Sequence, residues 1–375
     1  MHTRSGKIIL AALLACMVYN IFSDDVCAVS GGEVEISAAS AVVMFENGSC
    51  VFEQNANERR PIASTTKLMT AITAIELSEP DEPIEIAPVC CGIEGSSMYL
   101  TPGQILTADE LIAGLLLASG NDAAEALAVG LCGSEEAFVA RMNENAKGWG
   151  LVDTSFANPH GLDAEGHFST ARDLARLMLL CMRSERFARL CAMSALSVGD
   201  KYYVNHNKLL GRCEGCLGGK TGYTGAAGRC LVSCCERDGT RFACVTLNDP
   251  DDWNDHMRLY ELAFENWSNR LVVGREERYE IPVSGGGESA AEAAPERELR
   301  VFAARGEELE AVREIPRFTF APVRAGECAG RIVVLRGGEP AGEVRLLYCR
   351  DVPRRGEETE QTWKRDCRKS YPLRE

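Results

Sequence analysis

Three short groups of residues in this 375-residue chain carry side chains that could do chemistry together. The first is Ser64-Thr65-Thr66-Lys67. Positions i and i+3 share a helix face, so Lys67 can lie beside the Ser64 hydroxyl. A serine is a weak nucleophile until a base takes its proton. Lysine serves as that base once desolvation or a nearby cation lowers its pKa, and a helix N-terminus favours negative charge developing at Ser64. The second group is Ser119-Gly120-Asn121. A glycine inside a helical pattern costs about 1 kcal/mol; here it is expected to break the helix so that two polar side chains enter one cleft. Ser119 would shuttle a proton there and Asn121 would hold a substrate amide. The third group is Lys220-Thr221-Gly222. On an edge strand, Lys220 and Thr221 could bind a carboxylate, while Gly222 leaves room for a peptide to pair alongside. Taken singly, these are a capping serine with a surface lysine, a loop between helices and a turn before a strand. Taken in order, they make a nucleophile, a base, a proton shuttle and a carboxylate clamp.

The elements that must position them follow from the hydrophobic pattern. Residues 41–46 and 50–53 flank Asn47-Gly48, a strong hairpin signal. A helical run covers residues 65–77 and is ended by Pro80. Residues 108–132 read as helical with a break at 119–121, residues 134–149 as another helix, and 170–182 as a further one capped by Ser169 or Thr170. After Gly218-Gly219, strands are expected at 226–235 and 242–247, joined through Asp238-Gly239, and a closing helix at 256–267. Residues 284–296 read as a loop or linker. Short strand candidates then follow at 299–303, 316–323, 330–336 and 343–348, and the polar tail from 351 reads as disordered.

The resemblance runs well beyond the three motifs. It takes in Pro61-Ile62-Ala63-Ser64-Thr65-Thr66-Lys67-Leu68-Met69-Thr70, Leu117-Ala118-Ser119-Gly120-Asn121-Asp122-Ala123-Ala124 and Phe156-Ala157-Asn158-Pro159-His160-Gly161-Leu162. It continues through Gly166-His167-Phe168-Ser169-Thr170-Ala171-Arg172-Asp173-Leu174-Ala175 and Gly219-Lys220-Thr221-Gly222-Tyr223-Thr224. With these the chain resembles the serine-type D-alanyl-D-alanine carboxypeptidases, the low-molecular-mass penicillin-binding proteins of peptidase family S11. The resemblance implies an α/β fold of the β-lactamase/transpeptidase kind, a central antiparallel sheet flanked by helices, with a small C-terminal β-rich domain. The expected layout is a signal peptide at 1–30, a catalytic domain at 31–270, a β-rich domain at 271–350 and a disordered tail at 351–375. The implied catalytic residues are Ser64, Lys67 and Ser119. The implied substrate-binding residues are Asn121, Lys220, Thr221, Gly222 and Tyr223, with the Ser64 and Tyr223 amides as an oxyanion hole worth about 3 kcal/mol per donor. No cofactor or metal is implied. The partners implied are peptidoglycan stem peptides ending in acyl-D-Ala-D-Ala, with β-lactams as inhibitors. His160 and His167 are expected to be structural, and Asp122 a helix-face residue. Two departures stand out. The basic residue many members carry after the second strand is replaced by Asn248-Asp249-Pro250-Asp251-Asp252-Trp253, so the carboxylate would rest on Lys220 and Thr221 or on Arg258. Residues 357–375 also lack the apolar residues of the family's usual membrane anchor.

Composition narrows the setting. Hydrophobic residues make up 46% and charged residues 25%, an ordinary globular balance. The net charge of −15 repels phosphate backbones, which argues against nucleic acid. Arg4, Lys7, an apolar run at 8–18 and Val26-Cys27-Ala28 read as an export signal. The protein is thus expected outside the cytoplasm of a bacterium, in the wall space, with membrane contact only through an uncleaved N-terminal segment. Most of the 17 cysteines sit where alanine would fit and read as small buried hydrophobes, with Cys213-x-x-Cys216 as a candidate clip. Two further readings share the motifs: a D,D-endopeptidase and a catalytically idle wall-binding protein. A β-lactamase is disfavoured, because Asp163-Ala164-Glu165-Gly166 is unlike a loop that activates a deacylating water.

Overall fold

The computed structural model describes residues 29–30 and 34–357. The chain divides into two compact units, Met1–Glu265 and Asn266–Glu375. The first unit contains strands β1 (Val29–Ser30), β2 (Ser40–Phe45), β3 (Cys50–Gln54), β4 (Pro83–Glu85), β5 (Ile105–Thr107), β6 (Ala195–Val198), β7 (Lys201–Val204), β8 (Cys216–Thr224), β9 (Gly228–Arg237) and β10 (Thr240–Leu247). Its helices are α1 (Lys67–Leu77), α2 (Ala108–Leu117), α3 (Asn121–Cys132), α4 (Glu135–Gly148), α5 (Ala171–Cys181), α6 (Glu185–Cys191) and, at its end, α7 (Asp252–Asn266). Six strands form one sheet in the order β1-β3-β2-β10-β9-β8, antiparallel except for the β1–β3 pair.

Both faces of this sheet are covered, which is why β2 is buried along its whole length rather than alternately. On one face Val42, Met44, Val232, Cys234, Ala243 and Val245 join Leu111, Leu115, Leu127, Leu174 and Met178 from the helices in a single core. On the other, α7 lays His256, Tyr260 and Phe264 against Ser233 and Phe242. Thr107 begins α2 with a capping box to Glu110, and Ser134 and Ser184 cap α4 and α6. Thr170, not Ser169, caps α5 by accepting from the Asp173 amide.

The Lys220 motif lies on an edge strand, as the carboxylate reading requires, but that strand is not the run expected from 226: it is a separate strand, β8, at the open edge of the sheet. The register of β8 on β9 slips by one residue between Cys216 and Gly218, a bulge at Leu217. Cys216 therefore pairs with Cys235 and Lys220 with Val232, so the two side chains face opposite sides of the sheet although they are four residues apart.

The second unit is all β. Its strands are β11 (Trp267–Val273), β12 (Tyr279–Ser284), β13 (Ala290–Pro295), β14 (Leu299–Ala304), β15 (Leu309–Glu314), β16 (Thr319–Phe320), β17 (Cys328–Arg336) and β18 (Glu339–Tyr348). They form a sheet ordered β15-β17-β18-β13-β12-β16 beside a β11–β14 ribbon, over a core that includes Ile281, Val301, Ile332, Val334 and Leu346. The expected linker at 284–296 is largely the β12–β13 hairpin, in which Ala291 and Ala293 alternate into the core. The expected disorder does not begin at 351: Val352 is buried and pairs with Val323. Residues 358–375 and most of the proposed export signal lie outside the described residues. Among the described residues, no helix is long and apolar enough to cross a membrane, and all fourteen described cysteines are free thiols.

Candidate active site

Ser64 sits in a single 3-10 turn, Ala63–Thr66, that feeds directly into α1. The turn is strained: Ala63 has φ 47°, a left-handed conformation unfavourable for a residue with a side chain. A polar relay holds it there. The Ala157 amide donates to His167 Nδ1 at 3.1 Å, which leaves the ring proton on Nε2. Nε2 donates to Thr66 Oγ1 at 2.7 Å, and Thr66 donates to the Ala63 carbonyl at 2.8 Å. Gly161, with φ 91°, closes over the same carbonyl; a Cβ there would lie 2.0 Å from the Ala63 oxygen. His160 and His167 are both pushed down to about 4 by burial, so they are neutral at physiological pH. Their ring nitrogens bond the loop, His167 to Thr66 and the Ala157 amide and His160 to the Leu162 amide.

Lys67 is fully buried at the first position of α1. Its Nζ lies 2.8 Å from Ser64 Oγ, 2.6 Å from Asn121 Oδ1 and 2.7 Å from the His160 carbonyl. Burial, reinforced by the Lys220 charge, lowers its pKa well below the usual lysine value, while Asp122 pulls the other way. Asn121 opens α3, and its Nδ2 donates to the Glu94 carbonyl at 2.5 Å. Its amide is thus bonded at both ends, through Oδ1 to Lys67 and through Nδ2 to the Glu94 carbonyl. Asp122 is a residue of α3, as expected, and faces the interior. It is buried and accepts from the Met98 and Leu100 amides and from Ser97 Oγ, which pins the 96–100 loop.

Ser119 occupies the break between α2 and α3 with φ 60°. The strain falls on the serine itself, because Gly120 has an ordinary φ of −57°. Glycine is needed at 120 for space: a Cβ would meet Asp122 Oδ1 at 2.9 Å and Met98 Cγ at 3.0 Å. Lys220 is buried on β8, donates to the Thr221 carbonyl at 2.8 Å and is lowered to about 7 by burial. Gly222 brings the strand against the serine turn, where a Cβ would sit 3.0 Å from the Ser64 amide nitrogen. Tyr223 points outward and is exposed.

A cleft of about 380 Å³ joins these groups, lined by Ser64, Ser119, Thr221, Gly222 and Tyr223. Its remaining wall contains His206, Lys208, Arg229 and Trp253, which sequence reasoning missed. Arg229 was findable: it stands opposite Tyr223 in the β8–β9 hairpin. It forms a two-pronged pair with Asp252 at 2.7 and 2.9 Å. Lys208 lies over the Trp253 ring at 6.0 Å. Arg258, the sequence-based alternative for a carboxylate, does not line the cleft and pairs with Asp255 at 2.9 Å.

Residues 27–251 match the peptidase S11 family, D-alanyl-D-alanine carboxypeptidase. The chain belongs to that family. The matched segment holds all eight motif residues discussed above, and all of them lie in the first unit of this S11 peptidase. It is 28% identical over 372 residues to the D-alanyl-D-alanine carboxypeptidase DacF of Bacillus subtilis, covering 93% of this chain and 96% of that one. It is 32% identical over 235 residues to DacB2 of Mycobacterium tuberculosis, covering 60% and 80%. Among solved structures it is similar to penicillin-binding protein 5 of Haemophilus influenzae, with a TM-score of 0.67, 25% identity and coverage of 85% and 98%. The α/β sandwich with a C-terminal β unit is accordingly the fold of the penicillin-binding carboxypeptidases.

Among the described residues of this S11 peptidase, Glu125, Glu135 and His160 bring ligand-type atoms within 4.8 Å of one another. The Leu162 amide donates to His160 Nδ1 at 3.3 Å, which places the ring proton on Nε2 and leaves that nitrogen no lone pair for a cation.

Proposed function

We propose that this serine D,D-carboxypeptidase removes the terminal D-alanine from peptidoglycan stem peptides through an ester on Ser64. The observation that carries this reading is the set of partners around Lys67 Nζ. Two of them, Asn121 Oδ1 and the His160 carbonyl, can only accept. They match the two N–H bonds of a neutral amine, so its lone pair is left for the Ser64 hydroxyl at 2.8 Å. Ser64 Oγ attacks the carbonyl between the two D-alanines as its proton passes to Lys67. The oxyanion forms where Gly222 lets β8 approach the Ser64 amide, with the Tyr223 amide as second donor. Ser119 carries the proton to the leaving amine, and water then hydrolyses the ester.

The substrate's terminal carboxylate is held by Thr221 and Lys220, with Lys208 on the facing wall. Arg229 is already paired by Asp252 and contributes less than an unpaired arginine would. The open edge of β8 lets the peptide pair as an added strand. The reaction is placed outside the cytoplasm, where the substrate lies, after export directed by the N-terminal segment.

The test is the intact mass of the protein after incubation with penicillin, alongside Ser64→Ala. A penicilloyl adduct on the wild type alone is expected. No adduct on folded wild type overturns the enzymatic reading, and an adduct lost within seconds assigns β-lactamase chemistry instead.

A further inference from the structure

Three thiols that the peptidase mechanism does not use meet on the face of the sheet opposite Lys220. Cys213 Sγ lies 3.7 Å from Cys235 Sγ. Cys216 stands directly across from Cys235 in the β8–β9 ladder. The Glu236 amide bonds the Gly215 carbonyl at 2.9 Å, whereas the Cys216 amide bonds the Cys213 carbonyl at 3.2 Å. Bonds that flank the pair rather than join it mark Cys216 and Cys235 as a non-hydrogen-bonded antiparallel pair, the class whose Cα atoms approach to about 4.5 Å. That separation falls inside the range of about 4.4–6.8 Å that a disulfide spans.

The cluster is chemically divided. Hydrogen bonding from Cys235, helped by the nearby Arg237 guanidinium, pulls Cys213 down to about 7 against the burial that would raise it. The same Cys235 contact lowers Cys216. Burial raises Cys235 itself, so it is the proton donor to both neighbours. The other buried thiols of this sheet, Cys50, Cys230, Cys234 and Cys244, are all raised by desolvation and are inert by comparison. Cys216 is the least buried of the three and is the point of entry.

We propose that Cys213, Cys216 and Cys235 form a thiol–disulfide exchange site that takes low-molecular-mass disulfides and closes as a Cys216–Cys235 cross-strand bond. The Cys216 thiolate attacks one sulfur of the reagent RSSR; that S–S bond breaks and RS⁻ leaves. Cys235 passes its proton to the Cys213 thiolate and attacks the Cys216 sulfur, expelling the second RS⁻. Two protein thiols are oxidised by two electrons and one small disulfide is reduced to two thiols; the proton Cys216 gave up to solvent on ionising, and the Cys235 proton passed on from Cys213, end on the two RS⁻ groups. The bond ties strands that are already in register, so closing it needs no shift of β8.

The test uses the reduced full chain incubated with oxidised glutathione near neutral pH, quenched with acid and digested with trypsin without reductant. Linked peptides spanning residues 213–220 and 230–237 are expected, two hydrogens lighter than their sum, with fragment ions placing the bond on Cys216 and Cys235. Cys235→Ser removes this species, and Cys213→Ser slows its formation about tenfold by removing the base. Glutathione adducts without a linked pair overturn the proposal. So does a bond that fragment ions place on Cys230 or Cys234, a result readable in the wild type even if a variant fails to fold.

Discussion

Replacing Asn121 with leucine isolates the part of the site that prepares Lys67. Leucine has similar volume but no oxygen, so Lys67 Nζ loses its 2.6 Å acceptor and keeps Ser64 and the His160 carbonyl. The effect is largest in the transition state, when Lys67 has taken the proton and carries full charge in a buried setting. A hydrogen bond to a charged group contributes about 1.5–3 kcal/mol. At 1.36 kcal/mol per tenfold, this converts to acylation roughly 10- to 150-fold slower. The assay is the second-order rate constant for penicillin acylation, followed with a fluorescent penicillin, with circular dichroism and thermal unfolding to confirm that the fold persists. Asn121→Asp supplies the opposite sign. A carboxylate beside Nζ favours the charged lysine, so the pH at which Lys67 becomes a base, and with it the acid limb of the rate profile, moves upward. Acylation by folded Asn121→Leu within threefold of wild type, with no upward move for Asn121→Asp, would refute the assignment of Asn121 as the residue that orients the base.

Three other expectations are independent of that one. Gly222→Ala places a Cβ 3.0 Å from the Ser64 amide, so acylation falls by about 100-fold, the size of losing one oxyanion donor, while thermal stability barely moves; rate and melting temperature measured together check this. Lys208→Ala raises KM for an acyl-D-Ala-D-Ala peptide, whereas Arg258→Ala, on an arginine already paired outside the cleft, leaves it unchanged. His256 is buried between Ser233 Oγ and Thr246 Oγ1 and pushed down to about 3 by desolvation. Its folded pKa lies below the unfolded value, so the unfolded state binds the extra proton. The contribution to stability is complete above about pH 6.5 and is lost at about 1.4 kcal/mol per unit as pH falls further towards 3. Urea unfolding at several pH values should show wild type losing that much more than His256→Gln.

Much of the site was legible because its chemistry is local. Ser64 and Lys67 are three residues apart on one turn, and no tertiary information is needed to bring them together. The break at 119–121 was also visible, but its reason was not. Glycine suggested backbone freedom, whereas the left-handed residue is Ser119 and the glycine makes room for Met98 and Asp122. The strand carrying Lys220 was hidden by Gly218, Gly219 and Gly222, residues with weak strand preference that are tolerated because β9 and the serine turn crowd the backbone. The β13 strand, Ala-Ala-Glu-Ala-Ala-Pro, was hidden for a related reason: alanines with little strand preference still alternate into a core once neighbouring strands supply the surface. Lys208 reaches the cleft through the packing of distant segments, which spacing alone does not reveal.

The bulge at Leu217 gives β8 one residue of slack. Everything beyond it, from Gly218 to Thr224, is counted from β9 and not from the start of the strand. Deleting Leu217 would straighten the ladder and leave Lys220 opposite Val232, with the clamp in place. Deleting a residue between Thr221 and Tyr223 has no slack to draw on and would pull the edge that receives the peptide out of step with Ser64. Chain length in this strand is therefore forgiving on one side of Lys220 and rigid on the other, so natural variation in length is expected to collect before the lysine and to stop there.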